Sequence, residues 1–95
     1  MELSLYSSVA GNLLPNLIAL QDDIFTALPT VLVCPLDAGM EMTALRVEVT
    51  LSGQTLIAIP ELVRPICRSC LRFMGKLDSD TSGAIMERLQ MLLAQ

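Results

Sequence analysis

The residues able to do chemistry in this chain are few, and their types narrow what that chemistry could be. There is no histidine among its 95 residues. Proton transfer near neutral pH would therefore rest on carboxylates, thiols or Lys76. One carboxylate is placed suggestively: the apolar run "TVLVCPL" breaks at a proline and ends on Asp37. Asp37 can be read as an acid at the mouth of a site or as polar punctuation after a buried strand. Asp22 and Asp23 form an adjacent acidic pair, but neighbours on a turn point apart, so a turn or helix-cap role suits them better than metal binding. A third group is basic. Arg64, Arg68, Arg72 and Lys76 recur every four residues. On one surface they would form a groove for a phosphate backbone or an acidic peptide, while the plainer reading is a solvated set of charges balancing Glu61 and Asp78.

The three cysteines are Cys34, Cys67 and Cys70, the last two forming "CRSC". An odd number without a secretory context argues against a disulfide framework. A tetrahedral zinc site needs four nitrogen or sulfur ligands, which this chain cannot supply alone. The βαβ setting of a thioredoxin-like dithiol is not evident either. The expectation is two small, partly buried side chains, with no metal or other cofactor.

Positioning these residues requires elements, and the first half reads as β. "ELSLYS", "NLIAL" and "TVLVCPL" are short apolar runs bounded by Gly, Asn, Pro and Asp, a length and punctuation that favour strands. "QDDIFTALPT" between the last two is a loop with local order. "RVEVTLSGQTLIAI" carries the clearest hairpin signal, with Val47, Val49 and Leu51 alternating against Glu48 and Thr50, and Ser52-Gly53 as the turn. Pro60 and Pro65 exclude a long helix beyond it and suggest an irregular crossing with one turn near Arg68 to Leu71. "RFMGKL" can form a last short strand. At the C-terminus Ile85, Leu89, Leu92 and Leu93 recur at helical spacing, with Asp78, Ser79 and Asp80 as candidate caps. The architecture expected is mainly β: a small barrel of five to six short strands with one C-terminal amphipathic helix, forming a single domain over residues 1–95.

Composition sets further bounds. Hydrophobic residues make up 53% and charged residues 17%, and the mean hydropathy is +0.59. That is more apolar surface than one small domain ordinarily needs, so part of it is expected to face a partner subunit. Leu3 to Gln21 is uncharged, but serines, asparagines, Gly11 and Pro15 interrupt it, which argues against a membrane span. The first basic residue is Arg46, so no secretory n-region is visible and a cytoplasmic location is expected. A net charge of −4 weighs against a protein devoted to gripping nucleic acid.

The order strand, loop, "LPTVLVCPL", hairpin, "PELVRPICRSCLRFMGKL", helix resembles the CcdB and MazF/PemK superfamily of toxins from bacterial type II toxin–antitoxin modules. "LSLYSSVAGNLLPNLIALQDDIFTALPTVLVCPL" looks closest to the CcdB branch, while Arg64, Leu71, Gly75 and Leu77 form a skeleton more similar to MazF. The resemblance implies an SH3-like barrel with a C-terminal helix, a homodimer, and a cognate small acidic antitoxin taken up by Arg64, Arg68, Arg72 and Lys76. A CcdB-like toxin would contact DNA gyrase through the end of its helix, here Met91, Leu92, Ala94 and Gln95, although the tryptophan of that family's ending is missing. A MazF-like toxin would cleave RNA with an Arg before the proline that opens the second strand and a hydroxyl closing the third. Those positions hold Leu14 and Asp37, which argues against the family's usual ribonuclease site and makes RNA a less favoured target than gyrase. The alternatives are a ribonuclease rebuilt on Asp37 with Arg64 or Arg68, and a paralogue of the fold that has lost activity.

Overall fold

A computed structural model describes residues 1–20 and 29–94. Asp22, Asp23 and Gln95 lie outside the described residues, and with them the loop expected over "QDDIFTALPT" except for Pro29 and Thr30. Among the described residues, seven antiparallel strands make a curled half-barrel sheet with one C-terminal helix. They are β1 (Ser4–Ser7), β2 (Leu17–Ala19), β3 (Thr30–Asp37), β4 (Val47–Leu51), β5 (Gln54–Ala58), β6 (Arg64–Cys67) and β7 (Arg72–Lys76), followed by α1 (Ser79–Leu93).

The organising strand is β3. One edge pairs with β2, from Leu17 opposite Pro35 to Ala19 opposite Val33. The other edge is shared: its first half pairs with β6, Val33 opposite Arg64, and its last two residues pair with β5, Asp37 opposite Ile57. Side chains alternate along the strand, so Val31 and Val33 join Leu17 and Ala19 in a small core completed by Tyr6, Ile66 and Leu71. Cys34 and Leu36 face the opposite core with Leu5, Ile18, Val49 and Leu56, which Ile85 and Leu89 of α1 close over. Val33 and Cys34 are both fully buried, because the centre of β3 is covered on both faces.

The hairpin forms as its sequence dictates. Ser52 and Gly53 both have positive φ, 51° and 77°. That matches the primed two-residue turn whose twist suits adjoining antiparallel strands. β6 is the strand that the sequence conceals. Pro65 suggested an irregular crossing, yet it stands opposite Leu32 in a four-residue ladder. A proline is tolerated there because β6 pairs with β3 alone, and a missing N–H on the outer edge costs no ladder bond. The turn expected near Arg68 is present as a 3-10 turn, Arg68–Cys70. In β7 a register shift leaves Met74 opposite no residue, and Gly75 takes φ 126°, which only glycine adopts freely.

In α1 the cap is Asp78, whose carboxylate accepts from the Thr81 N–H and hydroxyl, each at 2.8 Å. Those bonds, led by the backbone one, hold its carboxyl below the usual aspartate range. The buried stripe is Ser82, Ile85 and Leu89, with Leu92 half-buried. Leu93 was expected on that stripe and is instead 84% exposed. At about 100° per residue Leu93 lies about 80° from Ile85 but only about 20° from Ser82, so its exposure follows from its place at the end of α1, one turn beyond Leu89, the last buried residue of the helix. Ser82 ties the chain's ends together, its hydroxyl accepting from the buried Leu3 N–H at 3.0 Å, while the Leu77 N–H donates to the Leu3 carbonyl at 2.8 Å.

Ser82→Ala is expected to destabilise the fold by about 1–3 kcal/mol, because the Leu3 N–H loses its buried acceptor. Ile85→Ala should cost about 2–5 kcal/mol through the cavity it leaves. Urea unfolding with unchanged m-values checks both.

Candidate functional site

The basic segment is the strongest chemical feature, and folding changes its form. From residue 62 to residue 77 there are four bases and no acid. The bases do not make a helical stripe. Arg64 lies on β6, Arg68 opens the 3-10 turn and donates its backbone N–H to the Pro29 carbonyl at 2.9 Å, and Arg72 and Lys76 bound β7 opposite Ser7 and Ser4. The four-residue spacing is thus carried by two strands and a turn, and the bulge in β7 sets Arg72 and Lys76 beside Ser7 and Ser4, which point to opposite faces of β1. Glu61 and Asp78, which could have neutralised these bases, are engaged elsewhere. Glu61 holds Arg46 in an ion pair at 3.2 Å, and Asp78 caps α1. Arg46 is fixed further by donating to the Glu41 carbonyl at 2.8 Å.

A polar row crosses the sheet at the Arg72 end of β7. Register places Arg72 beside Ser7 on β1, and Asn16 beside Leu36, whose N–H donates to the Asn16 carbonyl at 2.8 Å. The β1–β2 connection, residues 8–16, is clasped by Asn16, which accepts from the Ser8 N–H and donates to the Ser8 hydroxyl, each at 3.0 Å. Arg72 reaches into this connection and donates to the Asn12 carbonyl at 2.8 Å. Leu14 lies in the same connection and Asp37 follows Leu36, so folding brings the two expected site positions to one end of the sheet. Leu14 is half-buried and cannot hold a phosphate. The guanidinium of that end is Arg72, from a strand that the sequence places 58 residues after Leu14.

Asp37 is exposed, and its Oδ1 accepts from the Gly39 N–H at 2.8 Å, a side-chain turn that ends β3. Its other oxygen has no donor among the described residues. Asp37 is not in direct contact with Arg64 or Arg68. Arg64 stands opposite Val33, four residues or about 13 Å along β3 from Asp37, and Arg68 lies beside Pro29, still further away.

The cysteines divide sharply. Cys34 is fully buried in the main core, and desolvation, partly offset by the Ile59 N–H, pushes its thiol up to about 12. Cys67 and Cys70, expected to be partly buried, are both exposed. Among the described residues no group of three or more His, Cys, Asp or Glu could hold a metal ion, and no helix is long and apolar enough to cross a membrane.

At the end of α1, Met91 is 46% exposed, Leu92 half-buried and Ala94 exposed. This end of the helix is free of aromatic residues, and Leu93, absent from the expectation, is its most exposed apolar residue.

The class that this fold defines is the curled β-sheet with a C-terminal helix seen in MazF toxins. No protein-family model matches the chain, and no curated protein matches it. Among solved structures it is similar to the MazE–MazF structure (Form-II) from Deinococcus radiodurans, with a TM-score of 0.76 and 12% identity, covering 99% of this chain and 91% of that one. It is also similar to the Mycobacterium tuberculosis toxin MazF-mt6, with a TM-score of 0.74 and 17% identity, covering 99% and 97%. At such identities the likeness establishes the fold. Closeness to CcdB, expected from the amino-terminal half, is not shown.

Two outcomes follow. Arg72→Gln should loosen the β1–β2 connection, read as faster amide exchange at residues 9–14 with little change in the core. A thiol pKa raised by folding stabilises the fold fully below the unfolded value near 9.0 and loses that contribution as pH rises towards about 12. Stability of the parent should therefore fall more steeply than that of Cys34→Ala across this window.

Proposed function

We propose that the chain is the toxin of a type II toxin–antitoxin module of the MazF kind, that it acts on RNA as a homodimer, and that a small acidic antitoxin restrains it. The observation that carries this reading is the fold match to two MazF proteins over 99% of the chain, one of them from a structure with MazE. An acid-free segment with four bases supports an anionic partner, whether an RNA backbone or the acidic tail of an antitoxin. Its affinity for either falls with added salt. Among the described residues ten large apolar side chains are exposed, led by Leu13 and Leu93, which supports a second copy as partner.

The site is rebuilt in this reading. Arg72, anchored at the β1–β2 connection, takes over the phosphate-holding role that the family's arginine would have had at Leu14. Asp37 is the proton acceptor for an attacking ribose hydroxyl, a carboxylate role imposed by the absence of histidine. By register the two lie about three strand spacings apart, roughly 14 Å and no nearer than Arg64 is to Asp37, so Arg72 grips a phosphate neighbouring the scissile one, and its preference over Arg64 rests on its anchorage at the β1–β2 connection.

A protein-directed toxin, CcdB-like and aimed at gyrase, is the second reading, favoured by the exposed Met91 and Leu93. Induced expression in a bacterial host decides between them together with purified protein on mixed-sequence RNA. Growth arrest is expected, with RNA cut at defined sites, cutting abolished by Asp37→Ala and lowered by about 10-fold, through weaker binding, in Arg72→Gln. Intact RNA with arrest relieved by Leu93→Glu would establish the protein-directed reading. Unimpaired growth at high expression would identify a paralogue that keeps the fold without the activity.

A further inference from the structure

Cys67 and Cys70 have no part in the function proposed above, and the fold gives them an arrangement that structural cysteines lack. Both are exposed and free. Cys67 ends β6, and Cys70 ends the 3-10 turn that follows. Cys67 enters the turn in extended conformation and Cys70 closes it, so the two stand at the first and last positions of one tight turn, which holds their Cα atoms within about 7 Å, close to the separation that a disulfide spans. The Cys67 sulfur lies 3.0 Å from the Ser69 hydroxyl. That hydroxyl, the backbone N–H groups of Ser69 and Cys70, and the Cys70 thiol all converge on Cys67, and the Ser69 hydroxyl leads in holding it below the ordinary thiol range.

The surroundings select a partner. Arg64, Arg68 and Arg72 flank the pair in sequence, and no acid occurs between Glu61 and Asp78. A positive field favours the thiolate and raises the local concentration of an anionic reagent. Cys34, sealed in the core, cannot compete.

We propose that Cys67 and Cys70 form a dithiol modification site that reacts with anionic low-molecular-weight disulfides, Cys67 as the attacking sulfur and Cys70 as the resolving one. The Cys67 thiolate attacks one sulfur of the small disulfide, forming a mixed disulfide and expelling one thiolate. Cys70 then loses its proton to solvent and attacks the Cys67 sulfur. A Cys67–Cys70 disulfide forms and the second small thiolate leaves, so two protein thiols are oxidised while one small disulfide is reduced to two thiols.

The reduced full chain incubated with oxidised glutathione, quenched with iodoacetamide and mapped by mass spectrometry tests this. The expected product is an intramolecular Cys67–Cys70 disulfide with Cys34 unmodified. Cys70→Ser should accumulate glutathione on Cys67, and Cys67→Ser should react about 10-fold more slowly. Arg68→Gln should slow the reaction with oxidised glutathione but not with cystamine, a cationic disulfide. Circular dichroism confirms that each variant is folded. Equal rates for the two serine variants, glutathione held on both cysteines without closure, or equal slowing of both reagents by Arg68→Gln would overturn the assignment. None of these readouts depends on toxicity or RNA cleavage, so the dithiol assignment and the toxin reading fail independently.

Discussion

The structure depends on one short connection. β6 and β7 lie on the outer edges of the strand series β6-β3-β2-β1-β7, four strand spacings apart, which in a flat sheet is about 19 Å. Only residues 68–71 join them, and five residue steps reach at most about 17 Å even when fully extended. Three of those residues are wound into a 3-10 turn with a rise of about 2 Å each. The sheet must therefore curl until its edges approach, and the concave face that results buries Val31, Val33, Leu17 and Ala19 beneath Leu71 and Ile66. The same turn carries Arg68 and Cys70 and follows directly on Cys67, so the segment that closes the curl also brings a base and two thiols together.

A second constraint is the fork in β3. Because its two halves pair with different strands on one edge, the strand is covered on both faces at its centre and reaches solvent at its end. Asp37 stands at that end, and its bond to the Gly39 N–H accounts for an aspartate there on structural grounds. The structural role uses one carboxylate oxygen, and the other is the group that the proposed chemistry uses. The polar clasp of Ser8 and Asn16 and the long reach of Arg72 complete this end of the sheet. A positive charge has thus returned to the neighbourhood of Leu14 by way of another strand.

Much of this was legible in the residues. The hairpin at Ser52-Gly53, the three early strands, the turn at Arg68 and the capped C-terminal helix all follow from local patterns whose period or turn chemistry is strong. β6 was not, because Pro65 signals a break unless the strand is known to lie on an edge, and edges are properties of a sheet. Leu93 was misplaced for a milder reason: helical spacing fixes the face a residue lies on, and burial on that face stops at Leu89, one turn before the helix ends. The link between Arg72 and the β1–β2 connection could not be read at all, since it joins residues 60 positions apart.

What the sequence determined by itself was composition and local geometry: the absence of histidine, the acid-free basic segment, the C-x-x-C spacing, and the fold class that the alternation and punctuation imply. Tertiary structure alone decided which of these groups meet. It separated Asp37 from Arg64 and Arg68, delivered Arg72 to the end of the sheet where Leu14 lies, turned Glu61 and Asp78 to other partners, and left Cys67 and Cys70 in solvent while sealing Cys34. The physical reason is that pairing between distant strands is set by closure of the sheet as a whole, and no local pattern encodes which residues a curled sheet will bring into one row.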